Sequence, residues 1–235
     1  MAANSGNFLD GTFARVLLAP LRAGFALTLG FAGLLLVSWT VHWLFLAHGS
    51  PMRNEGLRLL LAEELLAASA LEGGQDGEAV RAPANCLYAL IFQRSGMHET
   101  GLRFREEASM SIPDTIMRSA WIARQEQIEA AMLSTQLLGL RMGVFLNFLP
   151  LLVLLYAVGT AEGFSQRTIR RAQVARESAS LYHRAKYGLI VTLALGGAAL
   201  LVWPAPVAWG PCVAASAVVV GILTAGQWMY YKKHV

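Results

Sequence analysis

Four long apolar runs without a single acidic side chain restrict this chain to a small set of folds before any other feature is weighed. Ala23 to Ala47 contains no charge at all, and at about 1.5 Å per helical residue it exceeds the length needed to cross a hydrocarbon core of about 30 Å. The second run, Leu137 to Gly159, carries Arg141 as its one charged residue; the third, Tyr187 to Trp203, and the fourth, Val207 to Tyr231, carry none. Pro204-Ala205-Pro206 separates the last two, which predicts a tight hairpin. Because backbone amides find no water inside a bilayer, such runs cross as helices. The expected fold class is therefore an all-α integral membrane protein with four transmembrane helices.

The distribution of charge predicts the orientation. Charged residues make up 14% of the chain, against about 25% in soluble domains, and mean hydropathy is +0.47. Arg15 and Arg22 precede the first run; Arg167, Arg170, Arg171, Arg176, Arg184 and Lys186 lie between the second and third; Lys232 and Lys233 follow the fourth. Basic connections are retained in the cytoplasm. The segment from His48 to Gln136 instead holds eight Arg against twelve Asp and Glu, an acidic excess that points outward. Trp39, His42, Trp43, Trp203 and Trp209 then fall at the outer edge, as an interfacial aromatic belt does.

The expected layout is an N-in, C-in protein of the bacterial inner membrane, with a helical periplasmic insertion between the first two transmembrane helices. Its parts are a cytoplasmic or interfacial segment 1–22, a first span 23–47, a periplasmic domain 48–136, a second span 137–159, a basic cytoplasmic loop 160–186, a third span 187–203 and a fourth span 207–231. The first run is too long for a cleaved signal core and reads as an uncleaved anchor.

Within the insertion, Asn54 to Glu72 is rich in Leu, Ala and Glu and predicts a helix ending at Gly73-Gly74; Ala84 to Gln93 predicts a second, shorter one. From Pro113, a favourable first-turn residue, no Gly or Pro interrupts the chain before Gly139. One rod is thus expected to join the insertion to the second span. Cys86 and Cys212 have neither CxxC nor metal-ligand spacing and are expected to stay unpaired.

Signatures of chemistry are absent. No phosphate loop or GxSxG elbow occurs, and His98-Glu99 lacks the second histidine of a zinc-protease helix. The chain is expected to be no enzyme and to use no cofactor or metal. Arg141, one turn into its span, is expected to snorkel to the headgroups, and His42 to sit at the interface. Asn147 with Pro150 marks a kink or an interhelical hydrogen bond. Gly139 with Gly143, and Ala217, Gly221 and Ala225, are spaced for close helix packing within a bundle or an oligomer.

The most informative stretch is the basic one. Six cations near a membrane could hold anionic lipid, an acidic protein face or nucleic-acid phosphates, and Glu177, Ser178, Tyr182 and His183 exceed what retention in the cytoplasm requires. The pattern Arg170-Arg171, Arg176-Glu177-Ser178, Tyr182-His183 and Lys186 resembles the DUF4400 membrane proteins, encoded in integrating conjugative elements and some conjugative plasmids beside coupling ATPase and type IV secretion genes. Where that family carries glycines between its two basic motifs, this chain has Ala172-Gln173-Val174-Ala175.

The resemblance implies an accessory inner-membrane subunit of a conjugative DNA-transfer apparatus. On that reading Arg167, Arg170, Arg171, Arg176, Glu177, Ser178, Tyr182, His183 and Lys186 bind a partner. Expected partners are membrane lipid and other conjugation or secretion proteins, the coupling ATPase among them, with a homo-oligomer also open. The alternatives are a small transporter or channel, which needs a polar path through the bundle, and a periplasmic sensor subunit.

Overall fold

The computed structural model describes residues 6–47, 54–71, 78–106, 112–173 and 179–231, and every regular element among them is a helix. In chain order these are α1 (Gly6–His42), α2 (Glu55–Leu71), α3 (Glu78–Tyr88), α4 (Met97–Glu106), α5 (Ile112–Ala172), α6 (Ala179–Val191), α7 (Gly197–Val202) and α8 (Trp209–Met229). Single π-helical turns extend α1 over Trp43–Ala47, extend α3 over Ala89–Gln93, and join α6 to α7 over Thr192–Gly196. Among the described residues four stretches are long and apolar enough to cross a membrane: Arg22–Phe45, Asp114–Ala172, Ser180–Val202 and Trp209–Met229.

The chain divides into two compact units, Met1–Val37 and Ser38–Val235. The first consists of the greater part of α1, where Phe25, Leu27, Leu29 and Leu36 all stand exposed. Apolar side chains exposed along a helix are penalised by water and tolerated by lipid.

The second unit is built around α5, whose 61 residues span about 90 Å. As the sequence predicts, it runs from the Pro113 turn straight into the second apolar run; it then passes Pro150 and continues to Ala172. At one level α5 receives α2 and α3, with Ala68, Val80, Ala84, Leu140, Val144, Val207 and Trp209 forming a shared core. Further along, Leu152, Leu189 and Val220 bring α6 and α8 onto it. Asn54, just before α2, donates to the Glu126 carbonyl at 3.1 Å, and Arg58 pairs with Glu129, which fastens the start of α2 to the same rod.

Small residues set two of these contacts. A side chain at Gly139 or Gly143 would strike the backbone of Ala84 or Val80, so this glycine pair lets α3 lie directly on α5. A second pair was not foreseen: a Cβ at Gly159 would stand 2.7 Å from the Gly221 carbonyl, and one at Gly163 2.6 Å from that of Ala225. The expected small stripe of α8 therefore serves packing within the bundle.

Two helical features depart from expectation. α3 begins at Glu78, upstream of the expected start at Ala84, and carries Pro83 inside it. α4 was not anticipated, because its polar sequence with Gly101 in the middle gives no apolar period; Gly96, at φ +72°, makes the reversal that precedes it.

Candidate functional site

Among the described residues the largest fully buried side chain is Arg141, which overturns the expectation that it snorkels. Its Nη2 donates to Glu64 Oε1 at 2.7 Å and to the Ala205 carbonyl at 2.9 Å, while Nη1 donates to the carbonyls of Leu200, Leu201 and Trp203 at 3.3, 3.4 and 2.5 Å. The physical reason lies in the hairpin. The last carbonyls of a helix lack intrahelical donors, and Pro204 has no N–H to offer Leu200. A guanidinium with its donors in a planar fork fills this ring of acceptors better than it could reach water.

Glu64 completes the arrangement from the opposite side. Its Oε1 accepts the Val207 N–H at 2.9 Å and its Oε2 the Trp209 indole N–H at 2.9 Å, so one carboxylate serves the entry to α8 while neutralising Arg141. Three parts of the chain distant in sequence (α2, α5 and the α7–α8 turn) are thus joined through one ion pair exposed 0% and 1%. Sequence reasoning missed Glu64, though a signal exists. Leu57, Leu60, Glu64 and Ala68 form one buried stripe of α2, whereas Glu63 faces out.

Beside this pair lies a second polar layer. His42 is fully buried in protein, with Nδ1 3.2 Å from Ser38 Oγ. Trp39 donates its indole N–H to Thr135 Oγ1 at 2.9 Å. Each of these groups lies on a helix long and apolar enough to cross a membrane yet faces protein, as polar side chains of such helices do.

Of the residues predicted to bind a partner, Arg167, Arg170 and Arg171 lie in the last turns of α5, and Tyr182, His183 and Lys186 lie on α6. The Arg167 guanidinium lies 5.4 Å from the ring centroid of Tyr231, and that of Arg170 4.4 Å from Tyr230. Tyr182 packs edge-on against His183 and Tyr231 with centroids 5.2 and 5.7 Å away, and His183 stacks on Tyr187 at 6.3 Å. Arg171 and Lys186 are exposed, and Arg176, Glu177 and Ser178 lie outside the described residues, as do residues 174 and 175 of the Ala172–Ala175 stretch. The structure thus brings Arg167, Arg170, Tyr182 and His183 to one end of the bundle. It adds Phe164, Trp228, Tyr230 and Tyr231, whose aromatic run at the end of α8 was the available signal.

A cavity of about 240 Å³ opens between α3, α4 and α5, with Leu102, Trp121, Ile128 and Met132 among its apolar lining. Tyr88 and His98 face it, the phenol 2.7 Å from Nδ1, and partial burial pushes the Tyr88 phenol above its ordinary value. No group of acidic, histidine or cysteine side chains able to hold a metal ion occurs among the described residues. Cys86 and Cys212 are both free thiols.

Residues 52–227 match a family model described as IncC plasmid conjugative DNA transfer protein DtrJ-like, a match that includes α2 through most of α8. No curated protein and no solved structure matches the chain.

Proposed function

We propose, because this chain belongs to the DtrJ-like family of conjugative DNA transfer proteins, that it is a non-catalytic accessory scaffold of the transfer apparatus in the bacterial inner membrane. The insertion faces the periplasm and the basic end of α5 faces the cytoplasm, as the positive-inside distribution requires. There it docks another conjugation protein, the coupling ATPase being the leading candidate. The single observation that carries this reading is α5 itself, an unbroken helix from the insertion to Arg170 and Arg171, fastened to α2 and to the hairpin by the Glu64–Arg141 pair. A helix held in this way keeps a fixed relation between what binds at one end and what binds at the other.

On this reading Arg170, Arg171 and Arg176 grip the partner by charge-assisted hydrogen bonds, with Tyr182, His183 and Lys186 at the edge of the contact. Replacing the three arginines by Gln in a donor cell should reduce transfer at least a hundredfold at unchanged protein level and topology. Transfer at the wild-type rate would reduce the segment to a topology signal. A pulldown of tagged protein from that donor should also recover a coupling or secretion subunit that the triple variant loses.

The cavity beside Tyr88 favours a second reading, in which the insertion senses a small ligand and α5 conveys it. The transporter reading is weakened by the engagement of Arg141 in the fold and by the exposed position of Asn147 on α5, since neither leaves a polar path between the helices.

A further inference from the structure

The basic end contains donors that the fold itself does not use. Arg167 Nε and Nη2 and Trp228 Nε1 are each enclosed and have no hydrogen-bond partner among the described residues. All three are N–H groups, so what satisfies them must be an acceptor. Leaving such groups unpaired is costly, and more so for a guanidinium than for a neutral amide. The rings around them explain how they are held: Arg167 lies over Tyr231, Trp228 packs between Phe164 and Tyr231 at 4.8 and 5.6 Å, and Gly163 lets the Trp228 stem approach α5.

The electrostatic setting is one-sided. Arg170, Arg171, Arg184 and Lys186 belong to the same end of α5 and α6, and the one acidic residue on α5 near it, Glu162, already accepts from Gln166 at 2.8 Å. The same end is continuous with apolar surface, because Ile169, Tyr187, Ile190 and Val191 are all exposed. A ligand suited to this place carries a slender anionic group attached to an apolar body. A nucleic-acid duplex, whose phosphates lie on the surface of a stiff double helix and carry no acyl-like body, does not fit enclosed donors at the edge of a helical bundle.

We infer that Arg167 and Trp228 form a site for the phosphodiester headgroup of an anionic phospholipid, entered by displacement of the Tyr231 ring, with the acyl chains lying along α6. The site rests on the reading that α5, α6 and α8 cross a membrane with this end at the cytoplasmic leaflet. It makes Arg167 a lipid ligand and leaves Arg170, Arg171 and Arg176 for the protein partner, so the two roles separate by mutation.

The test uses the full chain in detergent, with bound lipid counted by native mass spectrometry against phosphatidylglycerol, phosphatidylcholine, inorganic phosphate and a single-stranded oligonucleotide. Trp228→Phe keeps the ring against Phe164 and removes only the N–H; Arg167→Lys keeps the charge and removes the fork. Each should lower retained phosphatidylglycerol about tenfold, the loss of one charge-assisted bond, and leave the weaker retention of phosphatidylcholine unchanged. The Arg170/Arg171/Arg176 variant should keep its phosphatidylglycerol even where it loses transfer.

Equal retention of the two lipids by the unaltered protein overturns the site, as does full phosphatidylglycerol binding by Trp228→Phe. Displacement of phosphatidylglycerol by inorganic phosphate at equal concentration would assign the donors to free phosphate, and displacement by the oligonucleotide to nucleic acid. Either result excludes the lipid assignment.

Discussion

Replacing Arg141 by Met removes the guanidinium while keeping most of the volume of the side chain, and its cost can be worked from the contacts. Glu64 would remain buried with its charge uncompensated, a change that typically costs about 3–5 kcal/mol. The lower part of that range applies, since Val207 N–H and the Trp209 indole still donate to the carboxylate. The carbonyls of Trp203 and Ala205 would also lose their donor, at about 1 kcal/mol each. Together these give a loss of about 5 kcal/mol, among the largest a single substitution produces. Glu64→Gln is milder, because the amide still accepts one N–H and four carbonyls still surround the guanidinium; about 2–3 kcal/mol is expected. The pair should be strongly coupled, the double variant costing less than the two single costs added by about 2 kcal/mol. Reversible unfolding in mixed micelles, followed by helix content at increasing denaturing detergent, measures all three. Single costs below about 1 kcal/mol, or costs that add within about 0.5 kcal/mol, would mean that Arg141 reaches solvent and that the ion pair joins nothing.

Further consequences concern helix packing and the insertion. Gly143→Leu should separate α3 from α5, because the backbone of Val80 occupies the space, and should cost about 3 kcal/mol, the upper end for overpacking, with increased protease cleavage within α3. Gly163→Leu acts at the other end, against the Ala225 carbonyl and Trp228, and should change Trp228 fluorescence while leaving the insertion protected. The raised Tyr88 phenol retains its proton in the folded state after the unfolded chain has released it, near pH 10. Its contribution is therefore complete below about pH 10 and lost as pH rises through the folded value; thermal unfolding between about pH 9 and 11 should show this decline, reduced in Tyr88→Phe.

The legible parts of the fold were those encoded by local pattern. Apolar length identified the four candidate spans, the absence of Gly and Pro identified α5, and helix-forming composition identified α2 almost to its ends. α4 escaped because a polar decapeptide with a central glycine shows no period. Arg141 was misread for a different reason. Its depth in the span was visible, but its acceptors are carbonyls contributed about sixty residues later by a proline-broken turn. The basic site divided in the same way: Arg167, Arg170, Tyr182 and His183 could be selected for charge and pattern, whereas the rings of Trp228, Tyr230 and Tyr231 come from the other end of the chain and are adjacent only once α8 packs on α5.

The spacing of the two glycine pairs along α5 relates the packing to the bilayer. Gly143 and Gly163 are twenty residues apart, or about 30 Å of helix, the thickness of a hydrocarbon core. Within the first pair, between Gly139 and Gly143, lies Arg141 with its partner Glu64; beyond the second lie Arg167 and the aromatic cluster. Between them Leu146, Leu149, Leu151, Val153, Leu154 and Val158 are exposed on the helix surface. A bilayer placed over this interval covers the exposed apolar side chains and leaves each charged cluster at a boundary, where its ion pair or headgroup contact costs least. Over this interval α5 packs on α6 and α8 through Leu152, Leu189 and Val220 and presents its exposed apolar side chains on its other face. On the scaffold reading proposed above, that arrangement would hold the two charged clusters at a constant separation.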